Sequence, residues 1–126
     1  SEEVAKNFQR SDSRGELLIQ YFPENKTFLA KWMPEVEPPY YFAGRDVTLL
    51  KNHVIKNFEI YPARRDIVIA SFDNGIWAIE IDERGGRMIQ PIYKGGEPDF
   101  AVIPGRRELY ILDGGILFAA SLTAAE

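Results

Sequence analysis

The sequence holds no cysteine among its 126 residues. Disulfide staples, thiolate nucleophiles and cysteine-bound metals are therefore excluded. Histidine is almost as scarce: His53, in "LLKNHVIKN", stands alone. A zinc site thus lacks ligands, and a serine nucleophile lacks a choice of base. No Gly-x-Ser-x-Gly string occurs, and Ser11, Ser71 and Ser121 lie in strand or turn contexts without a visible base. No apolar run approaches the roughly 20 residues of a membrane helix, and no signal peptide is visible. An excess of positive charge is missing too: 15 basic residues face 19 acidic ones, for a net charge of −4. That argues against a nucleic-acid partner, whose binding rests on clustered Lys and Arg. Helical periodicity is confined to "SEEVAKNF" at the start, too short to nucleate a stable helix alone.

What remains is a soluble-type composition, 45% hydrophobic and 13% aromatic, at the length of one domain with a real core. The apolar residues come in short runs or strict alternation. "ELLIQYF", "TFLAKWM", "DVTLL", "VIKNFEI", "DIVIASF", "GIWAIEI", "GRMIQPIY", "DFAVI", "ELYIL" and "GILFAASL" read as strands between Gly, Pro, Asn and Asp. "FPENKT", "FDNGI" and "LDGGI" read as hairpin turns, with Asn74-Gly75 and Gly114-Gly115 supplying positive φ. The expectation is an all-β fold of antiparallel, blade-like sheets.

The strongest signal is internal repetition. Phe58 falls on Phe100 at an offset of 42, and with it Pro62 on Pro104, Arg64 on Arg106, Arg65 on Arg107 and Asp66 on Glu108. Continued, the same alignment sets Ile67 on Leu109 and Ile69 on Ile111, with the second copy shorter in its hairpin. A weaker copy starts at Phe8, with Asp12 in the proline place and Arg14 in the first arginine place. A period of ~40 residues is that of a propeller blade, a four-stranded antiparallel sheet stacked on its neighbours. The repeats divide one 1–126 domain into blade-like units at about 8–50, 51–94 and 95–122. The middle strands "ELLIQYF", "DIVIASF" and "ELYIL" are expected to be covered on both faces. The start without methionine and the end "SLTAAE" read as those of a piece of a longer protein.

The turns "YPARRDIVI", "IPGRRELYI" and "SDSRGELLI", with the approach "GGEPDFAVI", resemble the repeats of TolB-like or WD-like β-propellers. There an apolar strand, a Ser-Pro-Asp-Gly-type turn, a basic residue and a second apolar strand recur. The resemblance runs from Phe8 to Leu122, although the full Ser-Pro-Asp-Gly string is absent. It implies a partial or oligomer-completed propeller; a compact β-sandwich is the alternative. Three blades do not close a ring, so self-association or a partner is expected.

Asp73 and Asp113 recur just before a glycine turn, which points to turn capping rather than paired-carboxylate catalysis. No Asp-x-Asp-x-Asp-Gly calcium loop is present. No catalytic residue, metal or cofactor is assigned. The candidate binding residues are of two kinds. Arg64, Arg65, Arg106 and Arg107 form recurring pairs able to grip carboxylates or phosphates, or else are solvated turn residues balanced by Asp66 and Glu108. The unrepeated insertion "KWMPEVEPPYYFAGR" supplies Trp32, Tyr40, Tyr41 and Phe42, residue types that dominate binding hot spots; it could equally cover the end of a blade. Trp77 reads as core. The functional expectation is a non-catalytic protein- or peptide-interaction module, extracytoplasmic rather than cytoplasmic, as part of an envelope or sensor protein. An accessory propeller segment of a peptidase and an oligomeric sugar-binding domain are the alternatives.

Overall fold

The computed structural model describes residues 9–40, 42, 44–61, 64–84, 86–103 and 105–121. "SEEVAKNF", Tyr41, Pro62 and Pro104 lie outside them. The described chain is all-β: eleven strands in three antiparallel sheets, and no helix. Sheet A is the meander β1 (Gln9–Ser11), β2 (Leu17–Phe22), β3 (Thr27–Trp32), β4 (Asp46–Lys51). Sheet B repeats it with β5 (Asn57–Ile60), β6 (Ile67–Phe72), β7 (Gly75–Glu80) and β8 (Ile89–Lys94). Sheet C comprises β9 (Asp99–Val102), β10 (Glu108–Asp113) and β11 (Ile116–Ser121), with β11 at its outer edge among the described residues.

The sheets stack in the order A, B, C. One apolar cluster joins Leu17, Ile19, Tyr21, Phe28 and Ala30 of sheet A to Phe58, Val68, Ala70, Phe72 and Ile79 of sheet B. A second joins Ile67, Ile69, Ile76 and Ala78, on the opposite side of sheet B, to Phe100, Leu109 and Ile111 of sheet C. Sheet B is therefore the filling between two others, and all six residues of β6 are buried. A strand covered on both faces loses polar alternation, which is what "IVIASF" shows. β2 and β10 alternate instead. The expectation of double coverage holds for β6 alone, because sheets A and C each have one neighbour.

The first strands lie side by side and are tied across the sheet boundaries. Arg10 Nε donates to Glu59 Oε2 at 3.2 Å, and Asn57 Nδ2 donates to Asp99 Oδ1 at 3.0 Å and to the Phe100 carbonyl at 2.9 Å. The outer ends are tied by Arg87, which donates to the Thr48 carbonyl of β4 at 3.0 Å and to the Glu80 carbonyl of β7 at 2.7 Å. Sheets A and B also share a defect. The β3–β4 ladder slips at Phe28/Leu29 and the β7–β8 ladder at Ile76/Trp77. Both are bulges of one extra residue in the fourth strand, Leu49 and Ile92 respectively.

Two details of the repeat differ from the sequence alignment. The link from β5 to β6 has six residues, 61–66, and that from β9 to β10 has five, 103–107. The hairpins after them are equally short: Phe72 pairs Gly75 and Asp113 pairs Ile116. The second copy is thus shorter in its first link and not in its hairpin. The offset is 42 at Phe58/Phe100 but 41 from the second strand on, so Leu109 takes the place of Val68 and Ile111 that of Ala70. A one-residue slip moves each side chain to the other face. Leu109 and Ile111 accordingly point back at sheet B, whereas Ile67 and Ile69 point forward at sheet C. The β6–β7 turn residues are Asp73 and Asn74 rather than Asn74 and Gly75. Neither has positive φ; Gly75 opens β7 close to extended at φ 158°, and a Cβ on it would stand 2.5 Å from the Tyr93 carbonyl oxygen. Gly114 and Gly115 do form their turn with φ of 59° and 82°, as a primed hairpin turn requires.

Candidate interaction surface

The two halves of the sequence-based candidate set meet at the A/B boundary. In sheet A the link between β1 and β2 is a tight turn closed by Asp12, whose carboxylate accepts from the backbone N–H groups of Glu16 (2.8 Å) and Leu17 (3.2 Å). From the corresponding link of sheet B, Arg65 Nη1 donates to Asp12 Oδ2 at 2.8 Å and to Glu16 Oε1 at 2.7 Å. The same guanidinium lies 5.0 Å from the centre of the Trp32 ring, within cation–π range. Burial pushes the Asp12 carboxyl up. The Arg65 hydrogen bond, the two backbone donors and the Arg65 charge together outweigh that and hold it below its usual range. Arg65 is raised in turn by Asp12 and Glu16. It is a stitch between neighbouring sheets.

Arg64 turns the other way and forks onto Asp66 at 2.9 and 3.1 Å. Arg106 sits 3.6 Å from Glu108. These are the turn-local partners foreseen for the arginine pairs. Arg107 carries interactions of its own.

The insertion after Lys31 is folded inward more than outward. Trp32 and Phe42 are buried and meet edge to face at 5.2 Å. Arg45 pins the loop by donating to the carbonyls of Met33 (2.8 Å) and Val36 (2.7 Å). Tyr40 alone of the insertion's described candidates stands out, 84% exposed, with the Arg84 guanidinium 4.7 Å from its ring centre. Arg84 in turn forks onto Asp82 and holds that carboxyl at about 2 through its hydrogen bonds. Tyr41 lies outside the described residues. The insertion therefore packs against the end of sheet A and, among its described residues, presents one aromatic ring.

A cleft of about 200 Å³ opens where sheets A and B diverge, lined by Leu50, His53, Phe72, Asn74, Trp77 and Ile89. His53 Nδ1–H donates to the Lys51 carbonyl at 2.8 Å, and its ring packs on Phe72. Trp77 is half-buried against the A/B cluster.

The most exposed apolar area is elsewhere, on sheet C. Its face away from sheet B carries Ala101, Tyr110, Leu112, Leu117 and Ala119, paired across three strands. Tyr110 is 45% exposed, Leu112 46% and Leu117 65%. A shallow groove of about 220 Å³ runs between Asp99, Phe100, Ala101, Tyr110, Leu112 and Leu117. The repeat says what this face is. Tyr110 takes the place of Ile69 and Ile19, Leu112 that of Ser71 and Tyr21, and Leu117 that of Ile76 and Phe28. In sheets A and B all of these are buried against the next sheet in the stack. Sheet C turns the same face to solvent. Sequence reading expected an unclosed stack to need a partner but assigned none of these residues, because "ELYIL" and "GILFAASL" look like any other buried strands.

No family model, no curated protein and no solved structure matches the chain.

Proposed function

We propose that the chain is a non-catalytic protein-interaction module of β-propeller type, and that the uncovered face of sheet C receives the outer face of sheet A from a second copy. One observation carries the reading: Tyr110, Leu112 and Leu117 stand at positions that are buried against a following sheet wherever a following sheet is present. Continuity of the A/B and B/C interfaces supports the choice of occupant. On the outer face of sheet A, Leu18, Phe22 and Leu29 stand where sheet B offers Val68, Phe72 and Trp77 to its predecessor. Each chain thus carries both halves of one interface at opposite ends of its stack. Such a contact is heterologous, and it stops growing only if it closes. Two chains bring six sheets, within the roughly four to eight blades of closed rings.

The test is sedimentation velocity across a concentration series. The wild type is expected to run as a closed dimer. Leu112→Glu on one face, or Leu29→Glu on the other, is expected to give folded monomers, and mixing the two variants restores dimers through the remaining intact pair of faces. A wild type that stays monomeric at every concentration overturns the reading.

A further inference from the structure

Sheet C offers an edge as well as a face. In sheets A and B the third strand carries a fourth, β4 on β3 and β8 on β7. Among the described residues β11 carries none. Its sequence "ILFAAS" is apolar, and Ile116 is 67% exposed. An apolar edge of this length, with no charge or proline on it, lacks the usual guards against pairing.

The register fixes how the edge is presented. In a two-residue hairpin the flanking pair is the hydrogen-bonded one. With Asp113 opposite Ile116, the N–H and C=O of Leu117 and Ala119 point away from β10. Their counterparts in β7 are Ile76 and Ala78, which pair with Tyr93 and Gln90 of β8. The side chain of Tyr93 lies on the same side of its sheet as Ile76, within the B/C cluster. In sheet A, Leu50 stands opposite Phe28 in the same way.

From this geometry we infer that β11 is a receptor edge for an extended peptide strand, bound antiparallel by β-augmentation as the fourth strand of sheet C. The strands that already fill the place define its chemistry. β4 ends Leu49-Leu50-Lys51 and β8 ends Ile92-Tyr93-Lys94, in each case a bulged aliphatic residue, a large apolar residue and a lysine. The bound strand carries that pattern, with the large apolar side chain beside Leu117 and the lysine opposite Ile116. Main-chain bonds give affinity in this mode and alternate side chains give selectivity. The hydrogen-bonding edge of β11 is distinct from the sheet face, and only the large apolar side chain of the bound strand lies on that face, beside Leu117.

The probes are fluorescein-labelled synthetic peptides with the sequences of residues 86–95, "GRMIQPIYKG", and 44–52, "GRDVTLLKN". Both are expected to raise fluorescence anisotropy with the full chain and to slow hydrogen exchange at the Leu117 and Ala119 amides. Ala119→Pro removes an outward N–H while sparing the β10 ladder, a tolerated place for proline on an edge; Pro91 in β8 is an example within this chain. It is expected to weaken binding about tenfold. A GRMIQPIYKG peptide N-methylated at its glutamine tests the same hydrogen bonds with an unaltered protein and is expected to lose binding likewise. Leu29→Glu, which breaks the dimer proposed above from the sheet A side, is expected to leave peptide affinity unchanged. Absence of binding by both peptides, or equal binding by the N-methylated one, overturns the inference.

Discussion

Sheets B and C are built from the same recurring motif, an apolar strand, a Pro-x-Arg-Arg turn and a second apolar strand, and live in different surroundings. Sheet B has a neighbour on either side, and its second strand is buried throughout. Sheet C has one neighbour, and its last strand is exposed at nearly every residue. Identical kinds of side chain thus do different work: Ile76 is sealed in the B/C cluster while Leu117, at the same place in the repeat, lies open. Apolar character in a repeat marks a position that a neighbour covers, and an open copy marks where a neighbour is wanted.

The comparison can be broken most strongly at that pair. Ile76→Ala is expected to cost about 3 kcal/mol by transfer and cavity effects. Leu117→Ala is expected to cost less than about 0.5 kcal/mol in dilute monomer. Urea denaturation of both variants measures the difference. If Leu117→Ala becomes costly at concentrations where the wild type associates, the two positions are equivalent once covered.

A smaller effect separates the two sheet boundaries. Arg65 stitches A to B through Asp12, a carboxylate whose place in the next repeat is taken by Pro62. Arg65→Met is expected to cost about 1–2 kcal/mol, since it leaves the buried Asp12 carboxylate with backbone donors only. The acid behaviour follows in sign. The folded pKa of Asp12 lies below its usual 3.8, so its contribution is present above that value and is lost as pH falls through the folded pKa. In Arg65→Met the Asp12 carboxyl titrates at higher pH than in the wild type, readable by carboxyl NMR. The smallest effect belongs to the exposed arginines: Arg64→Gln and Arg106→Gln are each expected to shift stability by less than about 0.5 kcal/mol, as surface ion pairs do.

Much of the fold was legible because strands and turns are local. The short apolar runs between Gly, Asn and Asp locate the strands, and the recurrence of "RRD" and "RRE" marks successive sheets. The register of the last sheet was not legible. One residue missing from a turn is invisible where Pro62 and Pro104 and the double arginines align so well, yet it decides which way Leu109 points. The candidate site was legible only in part. Tyr40 is exposed as its type suggested, but Trp32 and Phe42 are core and Arg65 is held by Asp12 and Glu16. An aromatic in a proline-rich loop reads the same whether it faces solvent or packs inward, because burial depends on residues far along the chain.

The sequence by itself determined that this protein is a set of repeated antiparallel sheets without thiol chemistry or a histidine cluster. Alternation, turn residues and composition are properties of adjacent residues, and they need no partner to be read. The tertiary structure alone decided that sheet B is enclosed, that Arg65 joins two sheets, and that, among the described residues, the face and edge of sheet C stand open. Those follow from stacking, in which the same side chain is core or surface according to whether another sheet lies against it.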